Sequence, residues 1–205
     1  MNFKQIIFDF DMTLVDTSKG SAFCYEKAIL AAGGDFSRFD LPKYMGEFLD
    51  ATYLRIKNPL IEYAEFERVF YYYSHKKMAE MSVLYNDTVN LLTELSKTRC
   101  LSIVTNKDRK CVEQILRFHN IKKELFRIIL CCDDVKRRKP HPEGLIKCIK
   151  ELSCNKNECV YVGDSLTDVE FANNAGIKCY RVNRNENEPL NLNEIRTLTE
   201  LLWMI

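Results

Sequence analysis

The feature that most constrains the fold of this 205-residue chain is a regular alternation of short apolar runs with helical patterns. Apolar runs of four to six residues are typical of parallel strands that are buried on both faces. Repeated strand–helix units predict an α/β fold with a doubly wound parallel sheet, in which ligands bind at the carboxyl ends of the strands. The predicted strands are residues 3–8, 101–104, 127–131, 159–162 and 178–182, and the predicted helices are residues 88–97, 109–120, 142–152 and 167–175.

Residues 17–84 break this alternation, because no run within them has the character of a strand. One helical pattern ends at Gly33-Gly34, a second follows Pro42, and a third, rich in aromatic residues, covers residues 60–82. So much helix is too long for a single crossover connection, and we expect an inserted all-helical cap domain. The expected domains are a core of residues 1–16 plus 85–205 and a cap of residues 17–84, with hinges near Asp16 and near Tyr85-Asn86.

The charge balance argues against a stable nucleic-acid or membrane partner. The chain has 30 Lys and Arg against 29 Asp and Glu, a net charge of +1 that creates no attractive field for either surface. We find neither an apolar run long enough to span a bilayer nor a signal peptide, and we expect a cytoplasmic protein. The nine cysteines are odd in number and include no Cys-x-x-Cys pair, so we expect free thiols.

The strongest chemical signal is the sequence Asp9-Phe10-Asp11-Met12-Thr13, which directly follows the first apolar run. Alternate residues of a strand point to the same side, so the side chains of Asp9 and Asp11 are expected to lie together. Two close carboxylates repel each other unless a cation compensates them. A hard divalent ion such as Mg²⁺, which takes oxygen ligands, would relieve this conflict. In isolation, the same residues are equally consistent with a capped turn.

Polar residues also follow the next three predicted strands. Thr105 and Asn106 offer a hydroxyl and turn amides, although Thr-Asn after a strand is also ordinary turn chemistry. Lys139 stands on a backbone stiffened by two prolines and is suited to contacting phosphate oxygens as a point charge. Asp164 stands where a metal ligand is expected, whereas Asp168 has the Ser-x-x-Asp spacing of a capping box and is equally suited to cap a helix. Parallel strands bring all these residues to one crevice.

This ordered set of motifs resembles that of the haloacid-dehalogenase-like superfamily of phosphohydrolases. More narrowly, it resembles the phosphoglycolate-phosphatase-like branch, which carries a helical cap after the first motif. The resemblance covers about residues 3–182, and Met12 stands where many relatives have Gly or Asn. The segments similar to the four motifs are Asp9 to Thr13, Thr105-Asn106, Lys139 to Pro142, and Val162 to Ser165 with Asp168.

The resemblance implies a Mg²⁺-dependent phosphatase that acts on a small phosphorylated metabolite through an aspartyl-phosphate intermediate. Asp9 would be the nucleophile, and Asp11 would act first as general acid and then as general base. The implied metal-binding residues are Asp9, Asp11 through its backbone carbonyl, Asp164 and Asp168, and the implied phosphate-binding residues are Thr105, Asn106 and Lys139. We expect the protein to be a monomer or a homodimer.

Other functions are compatible with parts of this pattern. A phosphotransferase of the β-phosphoglucomutase type shares the aspartate pair, but such proteins usually have Glu-Asp where this chain has Gly163-Asp164. A dehalogenase would lack the second aspartate, a receiver domain would lack the helical insertion, and a non-catalytic phosphate-binding protein would be expected to have lost Asp9 or Asp11. The cap carries no motif that identifies the substrate. Gly46 is its candidate substrate contact because glycine permits close backbone approach, although an ordinary helix glycine is equally consistent.

Overall fold

A six-stranded parallel sheet organises the structure, a computed structural model that describes residues 3–39 and 49–205. The sheet has the strand order β5-β4-β1-β6-β7-β8, and β2 pairs with β3 in a separate two-stranded sheet. The strands are β1 (Gln5–Phe8), β2 (Val15–Asp16), β3 (Val83–Leu84), β4 (Cys100–Val104), β5 (Phe126–Leu130), β6 (Cys159–Gly163), β7 (Lys178–Val182) and β8 (Glu194–Ile195).

Strand β1 lies at the point where the strand order reverses, since β4 and β5 continue the sheet on one side and β6 to β8 on the other. Its residue Ile7 is in register with Ser102 of β4 and Tyr161 of β6. All three of these residues are fully buried, as expected for a central parallel strand. A crevice forms beyond the carboxyl ends of the strands at such a switch point, and ligands bind there in doubly wound sheets.

Helices alternate with the strands after β3 and flank the sheet, which confirms the predicted α/β fold. The helix residues Leu145 and Phe171 pack with the strand residues Val104 and Tyr161 in one apolar cluster. The helices are α1 (Ser18–Ala31), α2 (Leu49–Tyr53), α3 (Tyr63–Met81), α4 (Thr88–Ser96), α5 (Arg109–Phe118), α6 (Glu143–Leu152), α7 (Leu166–Ala175) and α8 (Leu201–Met204).

The chain divides into two compact units, one formed by Met1–Asp16 with Leu84–Ile205 and the other by Thr17–Val83. The described residues of the second unit are mainly helical, and its core includes Ile29 and Phe66. The expectation that residues 17–84 contain no strand is wrong at their end, because Val83–Leu84 pairs with β2. Gly46 lies outside the described residues.

No helix in the described part of the chain combines the length and the apolar character that a membrane span requires.

Candidate active site

The hydrogen-bond ladder of the sheet carries the polar residues to the edge where β1, β4 and β6 end. Asp9 follows β1, and its N–H donates to the Val162 carbonyl of β6 at 2.8 Å. Thr105 follows β4, and its N–H donates to the Leu130 carbonyl of β5 at 3.0 Å. Both residues are buried. The sheet itself therefore fixes the backbone that presents these side chains.

Lys139 forms the centre of the site, since its ammonium group bridges two aspartates. Its Nζ lies 2.5 Å from Asp9 Oδ1 and 2.9 Å from Asp168 Oδ1, and only 5% of the side chain is exposed. The backbone N–H of Lys139 donates to the Asn106 side-chain oxygen at 3.0 Å, and the peptide bond to Pro140 is cis. Burial disfavours the charged form of Lys139, but the carboxylates of Asp168 and Asp9 outweigh it and hold the lysine pKa above its usual value.

Asp168 uses its two oxygens for different purposes. Its Oδ2 accepts hydrogen bonds from the Ser165 hydroxyl at 2.7 Å and the Ser165 backbone N–H at 3.1 Å, in the capping box that begins α7. Its Oδ1 faces Lys139 and lies 3.2 Å from the Tyr161 hydroxyl. The Asp168 side chain therefore caps α7 and also contacts Lys139, so capping does not exclude the metal-site role that the sequence left as an alternative.

Three carboxylates form a group that suits a divalent metal ion. One oxygen each from Asp9, Asp164 and Asp168 lies within 4.8 Å of the other two. Burial, together with the charges of Asp168 and Asp11, raises the pKa of Asp9 to about 6 against the opposing effect of Lys139. Burial and the charges of Asp9 and Asp168 also hold the pKa of Asp164 well above its usual value. This repulsion is what a bound divalent cation would relieve, so the donor set suits a divalent metal ion with a preference for oxygen ligands.

Asp11 lies apart from this group and faces a second lysine. The Nζ of Lys107 is 3.0 Å from Asp11 Oδ1 and 3.1 Å from Asp11 Oδ2. The two aspartates of the first motif are thus paired with different lysines, Asp9 with Lys139 and Asp11 with Lys107. When all are ionised, the four carboxylates of the site exceed its two ammonium groups by two negative charges, which matches one divalent ion.

Comparison of the sequence with known protein families gives a match over most of the chain. The sequence model of the haloacid dehalogenase-like hydrolases matches residues 6–182 of the chain. The chain belongs to this family. The family resemblance inferred from the motifs is therefore confirmed, and a divalent metal ion is in general use in the family.

Two curated proteins and one solved structure are similar to this haloacid dehalogenase-like hydrolase over most of its length. It is 32% identical to pyrophosphatase PpaX of Bacillus velezensis over 175 residues, which are 84% of this chain and 80% of that protein. It is 30% identical to pyrophosphatase PpaX of Bacillus cereus over 181 residues, which are 87% and 82% of the two chains. A solved structure from Bacteroides fragilis, described as a haloacid dehalogenase-like hydrolase, has a TM-score of 0.86 and 26% identity, and covers 98% of this chain and 100% of that chain.

Met12, which directly follows the aspartate pair, has an unusual backbone conformation. Met12 has a φ of 57°, in the left-handed region that Gly and Asn adopt most easily. Its N–H donates to the Val15 carbonyl at 2.7 Å, which closes the turn that follows Asp11. Methionine thus occupies a conformation here that glycine or asparagine would adopt more easily.

Sequence reasoning missed two side chains of the site, those of Lys107 and Tyr161. Lys107 directly follows Thr105-Asn106, and this adjacency was the available signal. Tyr161 lies within the apolar run of β6, and its hydroxyl is 2.9 Å from the Val104 carbonyl as well as close to Asp168. Nothing in that run distinguishes a tyrosine that supports the site from one that only packs in the core.

Proposed function

We propose that this hydrolase is a Mg²⁺-dependent phosphatase that cleaves small phosphomonoesters through an aspartyl-phosphate intermediate on Asp9. The observation that carries the proposal is the placement of a buried Asp9 at the sheet switch point, against the ammonium group of Lys139 and beside Asp164 and Asp168. A nucleophile, a fixed cation and a metal-binding carboxylate group are the parts that phosphoryl transfer requires.

In the first step, an oxygen of Asp9 attacks phosphorus, and the bond from phosphorus to the leaving oxygen breaks. Asp11 donates a proton to the leaving alkoxide. In the second step, Asp11 takes a proton from water, which attacks the phosphorus and releases phosphate and free Asp9. Lys139, with Thr105 and backbone amides near Asn106, would bind the oxygens of the transferred group.

Asp9, Asp164 and Asp168, with the backbone carbonyl of Asp11, are the residues that would hold the metal ion. When bound, Mg²⁺ supplies positive charge that neutralises phosphate oxygens as negative charge develops on them. Lys139 holds Asp9 and Asp168 in place, and the Thr13 hydroxyl lies 3.4 Å from Asp164 Oδ1. Contacts within the protein thus orient these carboxylates.

Hydrolysis of pyrophosphate is the second candidate, and the names of the Bacillus relatives favour it. The same site would serve, because a phosphoric anhydride is cleaved by the same attack on phosphorus. Phosphotransfer of the β-phosphoglucomutase type is less well supported, since Gly163 stands where a glutamate is usual in that group. We also propose that the inserted cap, residues 17–84, selects the leaving group, with Gly46 as its candidate contact.

The test measures phosphate release from phenyl phosphate, p-nitrophenyl phosphate and pyrophosphate, with Mg²⁺ and after metal stripping into excess EDTA. We expect activity only with Mg²⁺, and its loss in Asp9→Asn, whose amide is a poor nucleophile of nearly the same size. Glu170→Gln, which removes an exposed carboxylate of α7, is the matched control and should remain active. Full activity in EDTA, or turnover by Asp9→Asn, would contradict the mechanism.

A further inference from the structure

Lys107 is a nearly buried lysine at the site to which neither the motifs nor the family match assigns a role. Its side chain is 9% exposed, against 29% for Asp11, and its ammonium group contacts both oxygens of that carboxylate at 3.0 and 3.1 Å. The ammonium group is therefore held in a dry position by its contact with Asp11.

The backbone that presents Lys107 is fixed on both sides. Its N–H donates to the Thr105 hydroxyl at 3.3 Å, and its carbonyl accepts from the Cys132 N–H at 3.1 Å. The next residue, Asp108, caps α5 by accepting from the Cys111 N–H at 3.0 Å. Because the backbone of this turn is fixed, the Lys107 ammonium group can fix the position of the Asp11 carboxylate that it contacts.

The Asp11 carboxylate differs from that of Asp9 in its lysine partner and in its exposure. Asp9 and Asp168 are tied to Lys139, and Asp168 is tied also to Ser165. The side chain of Asp11 is 29% exposed, against 10% for Asp9, and a turn that begins with Met12 at a positive φ follows it directly. A group that transfers a proton must be held within hydrogen-bond reach of the reacting oxygen, and small misplacements lower the rate strongly.

We propose that Lys107 is the positioning residue for Asp11, holding its carboxylate in the orientation from which it protonates the leaving group and later deprotonates water. The inference rests on the proposed function, because it takes Asp11 as the general acid and base. Lys107 itself touches neither the phosphorus nor the leaving oxygen in this proposal. The effect of replacing Lys107 on kcat/KM must therefore depend on how much the leaving group needs a proton. In a variant whose residue 11 cannot supply a proton, that dependence must vanish.

The test compares phenyl phosphate with p-nitrophenyl phosphate, which are similar in size but differ in the basicity of the leaving phenolate. We expect Lys107→Met to lower kcat/KM for phenyl phosphate about tenfold more than for p-nitrophenyl phosphate, as part of the 10²–10⁴-fold typical of acid–base catalysis. Lys107→Arg, which keeps the charge, should restore part of the difference. Lys107→Gln serves the same comparison if the methionine variant does not fold.

The control is Lys156→Met, which removes a lysine that donates to the Ala175 carbonyl at 2.6 Å on the chain segment before β6. It should leave the ratio of the two substrates unchanged. In Asp11→Asn, the addition of Lys107→Met should change that ratio no further. If Asp11→Asn alone leaves the ratio unchanged, the general-acid role fails. If Asp11→Asn changes it but Lys107→Met lowers both substrates equally, or acts additively with Asp11→Asn, the positioning role is overturned.

Discussion

The Asp168 side chain is tightly held. Its two carboxylate oxygens accept hydrogen bonds from Lys139 and Ser165, and the backbone of Gly163 lies directly against it. A Cβ placed on Gly163 would lie 2.4 Å from Asp168 Cγ and 2.5 Å from Asp168 Cβ. Real Cβ atoms do not approach other atoms so closely. Glycine at this position therefore lets β6 end directly under the Asp168 carboxylate and places it against Lys139.

The substitution Gly163→Ala should displace Asp168 and with it the bridge from Lys139 to Asp9. We expect phosphatase activity to fall at least about a hundredfold, because a misplacement of about 1 Å in a reacting group can cost that much. Gly144→Ala is the matched control, since its Cβ would meet the Val104 side chain at 2.9 Å and not a residue of the site. It should lower thermal stability with a much smaller loss of kcat. Comparable kcat losses in the two variants would show that Gly163 acts only through stability.

Residue by residue, the sequence indicates the site where a polar side chain directly follows a strand. Asp9, Thr105 and Asp164 stand at such positions, and the geometry of parallel strands brings them to one edge. Lys107 escaped notice because the direction of a side chain within a turn depends on hydrogen bonds to distant residues, here to Cys132. Tyr161 escaped notice because only the folded chain brings its hydroxyl to Asp168 and to the Val104 carbonyl.

At the scale of elements, the N-terminal cap of helix α7 contributes both to the stability of the fold and to the position of a site residue. Ser165 accepts the Asp168 N–H at 3.1 Å and donates its hydroxyl to Asp168 Oδ2 at 2.7 Å. The reciprocal bonds satisfy backbone donors that a helix end leaves unpaired. The same bonds hold the carboxylate that faces Lys139. One cap thus starts a helix and orients a site residue.

The substitution Ser165→Ala should lower the free energy of unfolding by about 1 kcal/mol, the usual cost of losing an N-cap. It should also lower kcat, because Asp168 loses the hydroxyl that holds its Oδ2. Chemical denaturation and kinetics measure the two effects. Thr197→Ala, which removes the capping box of Thr197 with Glu200, should cost similar stability and leave kcat unchanged. A stability loss in Ser165→Ala without any kinetic effect would restrict this cap to a structural role.

The longer elements could be predicted because buried strands are short apolar runs bounded by turn residues. The expected helix at residues 88–97 and strand at residues 178–182 agree with α4 and β7 within one residue. The short strands could not be predicted, because they are too short to form an apolar run. Strand β8 has only two residues, and one of them is Glu194. Pairing with a neighbour, rather than any local apolar pattern, makes them strands.

At the scale of the whole molecule, a nearly neutral chain concentrates negative charge in one place. The net charge is +1, whereas the site gathers four carboxylates against two lysines. A raised carboxyl pKa, as for Asp9 and Asp164, means that folding disfavours the ionised form at neutral pH. We therefore expect that binding a cation at this site stabilises the folded protein.

Addition of Mg²⁺ to the metal-stripped protein should raise its Tm. An ion that binds only the folded state stabilises it by about 2.7 kcal/mol at a hundred times its Kd, which corresponds to roughly 5–10 °C for a domain of this size. The substitution Asp164→Asn should behave in two ways. It should abolish most of the Mg²⁺ shift, because one of three carboxylate ligands is lost, and it should raise the Tm of the metal-free protein, because one repelling charge is removed. Glu170→Gln should leave the Mg²⁺ shift intact. A shift of equal size in Asp164→Asn would place the stabilising ion away from this site, and no shift in the unaltered protein would contradict metal binding.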